Sequence, residues 1–423
     1  MPTAPPIAAP IAPRIAWPRA ITWGAFLACS WTWCIGMFLP ILLVRDLGAA
    51  GWWAFAIPNC VGAAAMGWVL RSPRAASALR QNHAAACRLF SIVTIAFHAY
   101  WLAWLGGSVL PLEPLLAAIL GAVGVLAGAI ALRENIRWLA AILWLASAAI
   151  LAIVLASRPG SIATDLSAPG ALPPTDILFL APVCVFGFAL CPYLDLTFLR
   201  VRRLCDGPTA PAAFTVGFLI LFASMVVLTL AYAPMLDAAI LSKPLLERPL
   251  WAILATIHIT LQAAFTIGVH LLELATPTRA TTFAALGEGR AHQPDAPNNN
   301  DSPQPTSIPL ERTLLLTSIL LAGLLGAASQ RWPSLASLQA GEVGYRVLMS
   351  FYGLVFPAYV WICIIPRRRP PAPRAALATC LIAIALAAPC YALGFLWRDS
   401  IWLAPGLLIV LLARLVPANR TPA

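Results

Sequence analysis

Apolar residues run along this chain in blocks of about twenty, parted by short clusters rich in arginine and proline. A helix needs about 20 mostly apolar residues to cross a bilayer. Blocks of that kind fall at 20–44, 51–70, 88–109, 114–132, 138–157, 177–199, 211–235, 250–275, 313–329, 343–366, 374–396 and 400–417. The pattern predicts an all-α integral membrane fold of about 12 transmembrane helices. Residues 1–19 and 418–423 flank the blocks and read as tails. The first tail lacks the apolar core and small-residue cleavage site of a signal peptide. Residues 276–312 contain Pro294, Pro297, Asn298, Asn299, Asn300, Pro303 and Pro305 with little apolar content. That composition is expected of a flexible linker, here between the eighth and ninth blocks.

Composition turns the pattern into a class. The chain is 61% hydrophobic and only 10% charged, with a mean hydropathy of +0.84. A soluble chain carries roughly 25% charged residues, so 27 basic and 16 acidic side chains are too few to solvate 423 residues. Lipid is the expected surrounding partner. The net charge of +11 does not point to nucleic acid, because the arginines flank apolar blocks as membrane anchors do. The ten cysteines contain no Cys-x-x-Cys pair and sit mostly inside apolar stretches, as small buried hydrophobes.

Positive charge also orders the blocks. With the N-terminus inside and alternate crossings, Arg45, Arg158, Lys243, Arg248, Arg331, Arg346 and Arg398 lie outside and the remaining basic residues lie on the cytoplasmic side. That asymmetry predicts cytoplasmic N- and C-termini in the cell (inner) membrane. Trp17, Trp52, Trp53, Trp138, Trp251, Trp332, Trp397 and Trp402 fall at block ends, where amphipathic rings favour the interface.

Helix-breaking residues at membrane depth mark cavities, since irregular backbone needs protein or water to satisfy it. The first block holds Ser30-Trp31-Thr32-Trp33-Cys34-Ile35-Gly36 and then Pro40. The sixth holds Phe186-Gly187-Phe188-Ala189-Leu190-Cys191-Pro192-Tyr193-Leu194-Asp195. They lie five blocks apart, so the second copy has the opposite orientation. Paired interrupted helices in two inverted halves point to a transporter site. In this arrangement the chain resembles the leucine-transporter fold of the amino acid–polyamine–organocation superfamily. The resemblance implies a five-helix repeat over 20–157, a second over 177–366, and two additional helices over 374–417. It also implies a substrate site at Trp33, Cys34, Gly36, Phe186, Gly187, Pro192 and Tyr193.

The eighth block carries His258, Gln262, Thr266, His270 and Glu273. These fall within about 120° of one another on a helical wheel, one polar stripe across the membrane. Intramembrane ionisable groups face the bundle interior or a cavity. The stripe fits either interhelical hydrogen bonds or an ion or proton pathway, and His270-x-x-Glu273 has no second half that would make a metal site. Asp195 fits a cationic substrate group or a proton, and equally an ion pair with Arg200 or a helix cap. His98 reads as a packing residue. No Walker loop, dinucleotide fingerprint or His-Glu-x-x-His pair occurs, so neither a cofactor nor an enzyme is expected. The reading is a secondary transporter of a small solute, with a proton or sodium as possible coupling ion. The alternatives are a membrane scaffold, sensor or channel subunit, and a membrane-embedded enzyme.

Overall fold

The computed structural model describes residues 14–109, 132–158, 169–236, 247–276, 308–367 and 372–415, with Gly128, Gly160, Ile162, Leu166 and Ser167. Nearly all of the fourth block, most of the linker, Lys243 and both chain ends lie outside the described residues. Within them there is no strand, only an isolated bridge between Leu335 and Leu338. The helices are α1 (Trp17–Trp31), α2 (Cys34–Val69), α3 (Pro73–Asn82), α4 (Ala84–Val109), α5 (Ile136–Ser157), α6 (Ile177–Leu190) and α7 (Leu196–Leu204). After them come α8 (Thr209–Tyr232), α9 (Leu250–Ala275), α10 (Ile308–Ala328), α11 (Ala340–Ile364), α12 (Pro373–Phe395) and α13 (Leu403–Ala413).

Among the described residues, nine helical segments are long and apolar enough to cross a membrane. Their outer faces show the same thing. Leu310, Leu316, Leu320 and Leu324 of α10 are 60–77% exposed, and such a continuous apolar face is stable in lipid rather than water. This is a multi-pass membrane protein.

The directions of the helices follow from who meets whom. Ala16 N–H donates to Thr209, Gly24 packs on Gly217, Gly36 on Phe222, and Tyr232 donates to the Met37 carbonyl. Residues 16–37 therefore run parallel to α8. Trp52 meets Thr229 while Gly67 abuts Phe214, so the later part of α2 runs antiparallel to α8. The chain has reversed in between, at Gly48, whose φ of 61° and ψ of −150° are open only to glycine. The 36-residue α2 is thus two legs, one continuing α1 and one returning. We call the end of the bundle that carries Trp17 the near end and the opposite one the far end.

Close glycine contacts hold this arrangement. The return leg of α2 crosses α6 so tightly that a Cβ on Gly62 would sit 2.6 Å from the Phe188 carbonyl oxygen. Gly62→Ala is expected to cost about 1–3 kcal/mol, because backbone rather than a rotatable side chain is in the way. Gly323, where an added Cβ would meet nothing within 4 Å, supplies the control: Gly323→Ala should leave the melting temperature unchanged or higher.

Candidate functional site

Among the described residues, two transmembrane paths are interrupted between helices. The first breaks at Thr32 and Trp33, where Thr32 has ψ 67° and Trp33 is extended. The freed polar groups are captured locally. Ser30 and Thr32 hydroxyls donate back to the Leu27 and Ala28 carbonyls. Thr266 of α9 donates to the Cys29 carbonyl and Tyr345 of α11 to that of Cys34. The Cys34 N–H donates to His98 Nε2 at 3.1 Å, and His98 Nδ1–H donates to the Thr94 carbonyl. His98 is fully buried. It packs, as expected, and it also supplies the acceptor that an ordinary helix would have provided four residues earlier.

The second break follows α6. Pro192 has no N–H to continue the helix, Cys191–Leu194 tighten into a 3₁₀ turn, and Asp195 is extended with ψ 114°. Asp195 then caps α7: its Oδ1 accepts the Thr197 N–H and the Thr197 hydroxyl, both at 2.7 Å. Arg200 pairs with Glu273 at 2.9 Å, not with Asp195.

The breaks meet. Thr197 Oγ1 lies 3.2 Å from Ser30 Oγ, and the Trp31 and Phe198 rings are 4.8 Å apart. Beside them is a cavity of about 10 Å³, room for one water. Trp31, Trp33, Ile35 and Gly36 border it from the first path, and Phe188 and Cys191 from the second. Asn59 and Tyr352 complete the lining. A second, apolar cavity of about 40 Å³ shares Ile35, Phe188 and Tyr352 and continues past Gly187, Leu39, Leu43 and Met349 toward the far end.

Of the residues expected at the site, Trp33 and Gly36 line the first cavity and Gly187 the second. Cys34 takes part through its backbone. Phe186 packs edge-on against Trp361 instead. Pro192 and Tyr193 shape the turn and line neither cavity. The α9 stripe is buried among helices. His258 and Gln262 both meet Ser147 of α5, Thr266 meets α1, His270 meets Ser91 of α4, and Glu273 meets Arg200 of α7. None of the five borders either cavity. His258 Nε2, Gln262 Oε1 and His270 Nε2 are buried without a hydrogen-bonding partner. Among the described residues no group of three or more His, Cys, Asp or Glu is placed to hold a metal.

Charged networks stand toward both ends of the bundle. At the far end Arg45 makes a two-pronged pair with Glu342 at 2.7 and 2.8 Å and also bonds Asp46. Arg346 bridges Asp46 at 2.5 Å, Glu342 at 2.8 Å and the Phe395 carbonyl, and Arg398 adds a contact to Asp46. The backbone N–H groups of Ala171 and Leu172 lie down on the carbonyls of Arg45 and Asp46. At the near end Glu273 pairs with Arg200 and sits 4.0 Å from Arg80 of α3, while Arg19 donates to the Leu204 carbonyl.

Asn59, Tyr352 and the far-end network were not among the expected site residues. Asn59 had a signal, a lone amide beside Pro58 in an apolar block. Tyr352 had little, since a tyrosine before a glycine is common in such helices. No protein-family model matches the chain, and no curated protein matches it in sequence.

Proposed function

We propose that this protein is a secondary transporter of a small solute, built as two inverted five-helix repeats and working by alternating access at the cavity between its two broken helices. One observation carries the reading: two interrupted helices meet, antiparallel, at one cavity, with ion-pair networks on either side of it along the bundle. Arg19 touches Leu204 while Ser30 touches Thr197, so α1 and α7 run in opposite directions. Irregular backbone at this depth is tolerated where it serves a site.

The contacts support the repeat as well. Exchanging each helix for the one five places away, the first for the sixth, the second for the seventh and the fifth for the tenth, maps one set of contacts onto another. The first crossing packs on the seventh through Gly24 and Gly217; the sixth packs on the second through Phe188 and Gly62. Cys29, just before the first break, donates to the Ala140 carbonyl of the fifth crossing. Cys191, just before the second, donates to the Tyr352 carbonyl of the tenth. In this reading the near end is cytoplasmic and the protein lies in the inner membrane.

The lining of the cavities favours one class of solute. Five aromatic rings and a wall of Ile and Leu suit an apolar body, and Asn59 with the Trp33 indole N–H, which has no acceptor, offers one polar end. An amino-acid-like or similar small organic solute matches that lining, and it enters only when the cavity widens, since about 10 Å³ holds one water. A panel of such solutes tested for thermal stabilisation is the direct check. A solute at 100 times its Kd should stabilise the protein by about 2.7 kcal/mol, and Tyr352→Ala and Asn59→Leu should lose the effect. No stabilisation by any solute, or stabilisation that survives both substitutions, contradicts this site.

A further inference from the structure

We infer that Asp195 is a proton-binding site, and that the ion loading the transporter is a proton rather than sodium. The inference rests on the transporter reading above and names its coupling ion.

Asp195 is completely buried. Its Oδ1 is filled by the two donors from Thr197, and its Oδ2 has no hydrogen-bonding partner. Burying a carboxylate is costly unless it is paired or takes a proton. The titratable and charged groups around it offer no counter-ion. Cys191 belongs to its own turn, Cys87 faces it from α4, Tyr352 from α11, and Glu273, a second acid, from α9. Arg80 of α3 lies 4.0 Å from Glu273, and Arg200 is engaged by Glu273.

One free oxygen takes one proton. A metal cation needs a shell of several oxygens, whereas the hydroxyls beside Asp195 are already committed. Thr197 donates to Asp195, and Ser30 donates to the Leu27 carbonyl.

The same carboxylate caps the second half of the broken helix. Ionised Asp195 holds the Thr197 N–H and hydroxyl at the positive end of α7. A proton adding to Oδ2 gives a neutral acid with no change elsewhere in covalent structure. It weakens both bonds from Thr197, because a charged acceptor is roughly twice as strong as a neutral one. Protonation therefore weakens the cap on α7.

Infrared spectroscopy of the purified full-length protein tests this. Acidification should produce a carboxylic C=O absorption in the wild type that is missing from Asp195→Asn. In Thr197→Val, which removes one donor to the ionised form, the band should persist to higher pH than in wild type. The valine variant also decides the matter if the asparagine variant does not fold. Melting temperature in sodium chloride should equal that in choline chloride. No carboxyl difference between wild type and Asp195→Asn overturns the proposal, as does a sodium-dependent rise in melting temperature that Asp195→Asn abolishes. Uptake of a solute without the band leaves the transporter standing and removes the proton site. The band without uptake leaves a proton site in a protein that does not transport.

Discussion

Arg346→Leu is expected to destabilise the protein by about 3 kcal/mol, read as a fall in melting temperature or denaturation midpoint. Arg346 is 8% exposed and supplies the hydrogen bond to Asp46 Oδ2, a second to Glu342 and a third to the Phe395 carbonyl. Removing one partner of a buried pair leaves the others desolvated and unmatched, which costs about 3–5 kcal/mol. The lower end applies here because Arg45 and Arg398 still contact the two acids. Arg331, exposed beside α10, gives the contrast: Arg331→Leu should stay within about 0.5 kcal/mol of wild type. In the transporter reading, Arg346→Leu also opens the far end. Cys184 of the second cavity, left as the sole cysteine, should then react faster with a membrane-impermeant thiol reagent.

His98→Leu should be comparably severe. Leucine fills the volume but leaves the Cys34 N–H unpaired and buried, whereas the Thr94 carbonyl keeps its helical N–H donor. Such a group costs about 1–3 kcal/mol, and a loss of that size is expected. His98→Gln keeps an acceptor within reach of the break and should recover part of it. If His98 were only a packing residue, leucine would be tolerated and glutamine would be the worse of the two.

The comparison of these sites with the sequence shows where one-dimensional reading stops. Membrane class and the approximate helix positions were legible because apolar block length is a property of the chain alone. Both interruptions were legible because Gly36, Pro40, Gly187 and Pro192 are local signals. The break points themselves lie elsewhere, at Thr32–Trp33 and Asp195, because capping by Ser30, Thr32, His98 and Thr197 decides them. The α9 stripe was visible by its period, but its partners Ser147, Ser91 and the Cys29 carbonyl come from three other helices. For the same reason the far-end network stayed hidden. Asp46 and Arg346 are 300 residues apart, and nothing short of the fold brings them together. Asp195 illustrates the limit: the chain presented Arg200 five residues away as a partner, and the fold gave Arg200 to Glu273.

The central claim is that solute crosses the membrane through the cavity between the two broken helices. Uptake of labelled amino acids and other small organic solutes into proteoliposomes containing the purified protein, with and without a pH gradient, tests it most directly. The account predicts gradient-driven accumulation of at least one solute above protein-free vesicles, lost in Tyr352→Ala. Uptake that never exceeds that of protein-free vesicles, or that Tyr352→Ala leaves intact, would contradict it.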